Sequence, residues 1–125
     1  MNIGRAEYVE KLWGHEEIIV NNDVYCGKLL VLSNPCYISS LHYHEIKKET
    51  FHLLAGCVEL ELDGAKHRLW PGDTITIEPM QAHRFKTLAP CSTILEVSTP
   101  HDDSDVVRLE VSACLSDTEQ LELPF

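Results

Sequence analysis

A chain of 125 residues, 44% hydrophobic, 24% charged and 7% aromatic, has room for one domain and is neither disordered nor collagen-like in composition. No apolar run reaches the roughly 18 residues of a membrane span, and Met1 to Glu7 lacks the apolar stretch of a signal peptide, so a cytoplasmic protein is expected. Twenty acidic against ten basic residues give a net charge of −10. That charge excludes nucleic acid and anionic membrane surfaces as partners, yet leaves room for a small anionic substrate held by two or three placed cations.

In chain order, Tyr8, Val9 and Leu12 stand at helical spacing within residues 5–13 and predict a short N-terminal helix or arm. Val24 to Ser33 reads as a strand broken by Asn34-Pro35, and Tyr37 to His44 as a second. Thr50 to Ala55 stops at Gly56, after which Val58 to Leu62 alternates apolar and acidic residues, so one face is buried and the other wet. Asp63-Gly64 signals a hairpin turn and Ala65 to Trp70 the returning strand. Pro71-Gly72-Asp73 turns again before Thr74 to Ile77, and Glu78-Pro79 interrupts. His83 to Leu88, Thr93 to Ser98 and Val106 to Val111 complete the strands. Ser116-Asp117-Thr118-Glu119 reads as a capping box or as part of a frayed acidic tail over 116–125. Nine or ten short strands with turns at regular spacing mean an all-β sandwich or barrel, its core over about 16–112 of a single domain.

Five cysteines, Cys26, Cys36, Cys57, Cys91 and Cys114, are an odd and scattered set with no C-x-x-C. They predict neither a disulfide framework nor a zinc knuckle, only small, buried, reduced thiols. The histidines say more. His42 and His44 lie two apart in a strand, so both imidazoles point to one face and can reach one ion at about 2.1 Å each. Glu49 follows near the start of the next strand, and His83 opens a strand after two turns. Three imidazoles and a carboxylate suit a divalent first-row metal (Mn, Fe, Co, Ni or Zn) and leave coordination positions open.

His42-x-His44-x4-Glu49-x6-Gly56, followed by Gly72-x10-His83, resembles the two motifs of the cupin family. Cys36 replaces that family's opening glycine. Glu78 stands where proline is usual, Met80 at the second glycine and Thr87 at the usual asparagine, so the departures touch turns and not ligands. The resemblance implies a double-stranded β-helix, a small jelly-roll barrel with the metal inside its mouth. A second likeness covers roughly residues 11–108. Lys11-Leu12-Trp13-Gly14, Tyr25-Cys26-Gly27-Lys28, Ser39 or Ser40 before His42, Leu95-Glu96-Val97-Ser98-Thr99 and Asp102 to Arg108 come in an order similar to the cupin part of type II phosphomannose isomerases and of D-lyxose isomerases.

That likeness implies aldose–ketose isomerisation of a small carbohydrate through a metal-held enediol, which needs an electrophile at the carbonyl and a base near the carbon-bound proton. Glu96, in an apolar strand where desolvation raises its proton affinity, is the candidate base; the competing reading is an outward-facing strand glutamate. Lys28, on another apolar strand, is the candidate to anchor a substrate hydroxyl or phosphate or to steady the enediolate oxygen; the competing reading is a strand-edge lysine that deters aggregation. Arg84 should face away from the site, Arg108 should close on Asp102, Asp103 or Asp105, and His15, His52, His67 and His101 should be surface or capping residues. A non-catalytic sugar-binding cupin and an iron-dependent cupin dioxygenase are the alternatives, and exposed sheet edges suggest a homodimer.

Overall fold

The structure, a computed structural model, describes residues 3–35 and 37–114; Cys36 and the reading of 116–125 fall outside them. The strands in chain order are β1 (Glu7–Lys11), β2 (Gly14–Asn21), β3 (Cys26–Leu32), β4 (Tyr37–Ile38), β5 (Leu41–Tyr43), β6 (Glu49–Ala55) and β7 (Val58–Leu62). They continue with β8 (Ala65–Leu69), β9 (Thr74–Ile77), β10 (His83–Thr87), β11 (Ser92–Ser98), β12 (Val107–Glu110) and β13 (Ala113–Cys114), with one 3-10 turn at Asp103–Asp105. One sheet runs β1-β2-β3-β11-β6-β9 and the other β12-β5-β10-β4-β13, with β7 on the free side of β10 and β8 on β7. All pairings are antiparallel between strands that mostly lie far apart in sequence, so the chain winds between two facing sheets as a jelly-roll barrel.

Alternation with period two determines what enters the barrel. Along β3 the inward positions are Lys28, Leu30 and Leu32; along β6 they are Glu49, Phe51 and Leu53; along β11, Glu96 and Ile94. On each strand a charged group stands at one end and an aliphatic side chain further in. Leu32, Leu53, Val58, Leu60 and Ile94, none measurably exposed, fill the closed end, each contributing roughly 1.5–3 kcal/mol of burial. Trp13 meets Phe85 edge-on at 5.0 Å and forms, with Leu30 and Phe51, a layer between that core and the polar end. No helix among the described residues is long and apolar enough to cross a membrane.

Two expectations need correction. The N-terminal segment is not helical: Glu7–Lys11 pairs with Gly14–Asn21, and Tyr8 stacks on His15 at 4.3 Å. A nine-residue window cannot sustain a helix alone, whereas β2 offers unpaired backbone groups along its edge. The thiols are not uniformly buried either. Cys26 and Cys57 are, but Cys91 sits exposed in a turn at φ 59° and Cys114 on an exposed two-residue strand. Asp63-Gly64 does form the β7–β8 hairpin turn, with both φ angles positive.

Gly56 marks a point of real constraint. Its φ is +86°, and a Cβ there would run into Ser92, whose hydroxyl accepts from the Cys57 N–H at 3.1 Å and donates to the Ala89 carbonyl at 2.7 Å. Gly72 has φ +96° but open space around the same position. Gly72→Ala should therefore cost only backbone strain of about 1–3 kcal/mol, and Gly56→Ala should cost more by at least about 1 kcal/mol for the overlap. Urea unfolding of the two variants checks the difference.

Candidate metal centre

The second sheet brings the imidazoles together. His83 at the start of β10 is the register partner of His42 on β5, and His44 follows β5 directly. Ring centroids are 4.5 Å apart for His42 and His83, 5.1 Å for His42 and His44, and 5.7 Å for His44 and His83. One nitrogen from each lies within 4.8 Å of the others. Glu49 approaches from the first sheet, its Oε1 2.7 Å from His83 Nε2 and 3.7 Å from His44 Nε2.

Backbone carbonyls fix the tautomers. Nδ1 of His42 lies 3.1 Å from the Ser40 oxygen, Nδ1 of His44 3.0 Å from the Asp105 oxygen and Nδ1 of His83 2.9 Å from the Gln81 oxygen. A carbonyl only accepts, so each Nδ1 carries the hydrogen and each Nε2 keeps a lone pair, as outer-shell partners arrange it for metal ligands. His83 Nε2 is wholly buried and makes no hydrogen bond of proper geometry despite its closeness to Glu49. A lone pair facing a carboxylate at that distance is repulsive unless a cation lies between or beside them. The donor set therefore fits a divalent first-row ion and does not choose among Mn, Fe, Co, Ni and Zn.

Electrostatics agrees with this assignment. Burial, reinforced by His83 and His44, lowers the pKa of His42 to about 3, and burial lowers that of His44 against the pull of Glu49. Both stay neutral, as ligands must. Burial alone would raise Glu49, but the Lys47 ammonium 3.1 Å away opposes it and keeps the carboxylate ionised, below its usual range.

The centre opens into a cavity of about 500 Å³ between the sheets. The imidazoles line one wall. Glu96 and Lys28, register partners on β11 and β3, line the other, so the competing outward-facing and strand-edge readings do not hold. Lys28 Nζ lies 3.6 Å from Glu16 Oε2. Glu96 is 5% exposed and its pKa is raised, by burial first and then by Glu49, with Lys47 and Lys28 opposing.

Lys47 was not foreseen. It sits in the loop between His44 and Glu49, yet is 3% exposed and lies 2.8 Å from Glu96 Oε2 and 3.1 Å from Glu49 Oε2. Periodicity offers no cue inside a loop, and its neighbour Lys48 is exposed, paired with Glu78 at 3.2 Å. His101, expected at the surface, lines the cavity and touches Lys47. Arg108 also lines it and closes no ion pair with Asp102, Asp103 or Asp105 among the described residues. Those carboxylates serve Ser104, His101 and the 45–47 backbone instead. Arg84 does face away, toward Glu61 and Glu110, and His52 bonds Thr74 on the outer surface. Met80, at a position where the motif has glycine, adopts φ 72°, and its N–H donates to the His44 carbonyl at 2.6 Å.

A β-barrel with imidazoles clustered in its mouth is the class this geometry defines. A profile of the cupin domain matches residues 31–97, more than half of the sequence, and the protein belongs to that family. An uncharacterised protein of Aquifex aeolicus (strain VF5) is 35% identical over 71 residues, which span 56% of this chain and 59% of that protein. Among solved structures, KdgF from Halomonas sp. overlays with a TM-score of 0.71 at 21% identity, over 78% of this chain and 89% of its own. A variant of Streptomyces Pac13 with uridine reaches 0.77 at 11% identity over 100% and 99%, Pac13 being described as a nucleoside dehydratase. Oxalate decarboxylase from Bacillus subtilis reaches 0.71 at 15% identity over 83% of this chain and 30% of that one. At these identities the likeness is one of fold.

Two measurements follow from the centre. Elemental analysis of the purified protein should find about one divalent metal per chain, with His42→Ala and His83→Ala each cutting affinity by at least about tenfold. Retention of a full equivalent by either variant would exclude these ligands. In the metal-free protein, His42 and His44 bind protons more readily when unfolded, so stability should fall as pH drops below about 6.5, the loss from His42 being complete near 3. Urea midpoints across that window check it, and His42→Gln should flatten the slope.

Proposed function

We propose that the protein is a metal-dependent aldose–ketose isomerase acting on a small sugar or sugar phosphate in its open-chain form. The observation that carries this reading is the opposition, across one cavity, of a three-imidazole cluster on one sheet and Glu96 with Lys28 on the other. The resemblance of residues 11–108 to type II phosphomannose isomerases and D-lyxose isomerases points the same way.

A divalent ion held by His42, His44, His83 and Glu49 would supply the Lewis acid that polarises the sugar carbonyl. Glu96 takes the proton from C2 and returns it to C1 while the O2 hydroxyl proton passes to O1, so the reaction balances without oxidant or reductant. Its Oε2 is fixed by Lys47, and its Oε1 carries no hydrogen bond among the described residues. Burial raises its proton affinity toward what a base at neutral pH requires. Lys28 anchors a substrate hydroxyl or phosphate, since its 3.6 Å contact with Glu16 is too long to be a strong hydrogen bond. Trp13, Leu30, Phe51 and Phe85 form an apolar floor that keeps water from the proton in transit.

The test is turnover of lyxose, mannose, fructose and their phosphates in deuterated water by protein loaded with Mn²⁺, Co²⁺ or Zn²⁺. Ketose–aldose conversion with exchange at C2 is expected, and Glu96→Gln should lower kcat about 10²–10⁴-fold. Sugar binding without exchange would indicate a non-catalytic carbohydrate-binding cupin. Oxygen uptake after anaerobic loading with Fe²⁺ would indicate a dioxygenase. Either result replaces the proposal.

A further inference from the structure

The ammonium of Lys47 meets three acceptors: Glu96 Oε2 at 2.8 Å, Glu49 Oε2 at 3.1 Å and His101 Nδ1 at 3.1 Å. An ammonium has three N–H donors and no acceptor; here it donates hydrogen bonds to Glu96 and His101 and meets Glu49 as an ion pair. Because His101 Nδ1 accepts, the ring hydrogen is on Nε2, which donates to Asp103 Oδ1 at 2.8 Å. The loop that carries Lys47 is fixed as firmly as its side chain. The N–H groups of Glu45, Ile46 and Lys47 donate to the Asp105 carboxylate at 2.8, 3.1 and 3.0 Å, and the Asp105 carbonyl accepts from His44 Nδ1.

Each carboxylate presents one of its two oxygens to the lysine. Glu49, held by Oε2, turns Oε1 to His83 Nε2 at 2.7 Å, whereas Glu96, held by Oε2, leaves Oε1 without a hydrogen bond among the described residues. The charged or titratable groups set around Glu96 are Lys47 from this loop, Lys28 and Cys26 from β3, and Glu49 from β6. Without the ammonium, two buried carboxylates from adjacent strands would face each other with only Lys28 nearby, an arrangement that drives one of them to take up a proton.

We infer that Lys47 is a positioning residue that holds Glu49 and Glu96 as one charge-compensated unit, aiming one carboxylate at the imidazole cluster and the other at the substrate while itself contacting neither metal nor substrate. The catalytic part of this rests on the isomerase reading; the pairing does not.

Three variants test it: Lys47→Met, Lys47→Arg and Lys47→Met combined with Glu96→Gln. In metal-free protein at pH 7 the first should unfold at lower urea, and the added Glu96→Gln should restore most of the loss, because it removes the uncompensated charge. Strictly additive losses would overturn the inference. If Lys47→Met alone does not fold, folding of the double variant is the restoration sought, and failure of both counts against it. The carbon-13 resonance of the Glu96 carboxyl should titrate with its midpoint raised by at least about one pH unit, a tenfold change in proton affinity, in Lys47→Met, and return toward wild type in Lys47→Arg. An unmoved midpoint would overturn the inference. With active enzyme, kcat should fall about 100-fold or more in Lys47→Met with KM within about threefold, and Lys47→Arg should recover part of it. A raised KM with unchanged kcat would make Lys47 a substrate ligand instead. Should wild-type protein turn over none of the sugars, the isomerase reading fails, while the urea and carbon-13 results still decide the pairing.

Discussion

A buried ammonium between two buried carboxylates sets the terms for the polar end of this barrel. Desolvating Glu49, Glu96 or Lys47 singly would be prohibitive, and the three are tolerated because each meets an opposite charge at 2.8–3.1 Å. The compensation is also directional. It leaves one oxygen of Glu49 toward the imidazoles and one of Glu96 uncommitted, the two orientations on which the proposed chemistry depends. The closed end needs no such device, since Leu32, Leu53, Val58, Leu60 and Ile94 bury only apolar surface.

Asp105 links this arrangement to the rest of the chain. One carboxylate gathers three consecutive N–H groups of the 45–47 loop, and the same residue's carbonyl orients His44. The loop would otherwise be free to splay, because its residues belong to neither sheet. A segment some sixty positions away thus sets the height of Lys47 above the apolar floor and the tilt of a metal-facing ring. Met80 ties down the backbone of His44 by donating its N–H to that residue's carbonyl, accepting a left-handed conformation that costs about 1–3 kcal/mol.

The legible parts of the sequence were those governed by period two. Parity puts His42 and His44 on one face, whereas it left Glu96 open between the cavity and the outer surface until the burial of β11 decided it. Arg84 and His52 point outward for the same reason. The hairpin at Asp63-Gly64 was equally plain, because two positive φ angles demand that chemistry. The N-terminal strand was not legible: Tyr8, Val9 and Leu12 satisfy a helical spacing by chance, and only the edge of β2 decides the matter. Lys47, His101 and Asp105 were hidden for a different reason. Their burial comes from loops folding over a barrel mouth, and no local pattern distinguishes a charged loop residue that closes on a cavity from one that meets solvent.

The division of labour between the sheets carries the functional argument furthest. Imidazoles occupy the sheet containing β5 and β10; Glu96 and Lys28 occupy the sheet containing β3 and β11, and Glu49 bridges toward the rings. In the proposed reaction a substrate between them would be gripped from two sides by rigid strands, which would keep an electrophile and a base at a fixed separation. The chain's charge is distributed to match. Its net charge is strongly acidic, and Lys11, Lys28, Lys47 and Arg108, four of the ten lysines and arginines, line this cavity beside Glu7, Glu16, Glu49, Glu96 and Asp103. Lys47 is engaged by Glu96, Glu49 and His101, so in the proposed function attraction for a polar or anionic group would fall to Lys28, whose hold on Glu16 is loose, and to Arg108, which has no carboxylate partner among the described residues. Under the proposed isomerase reading, the group that would anchor a sugar and the group that would move its proton are register partners on one wall, Lys28 beside Glu96.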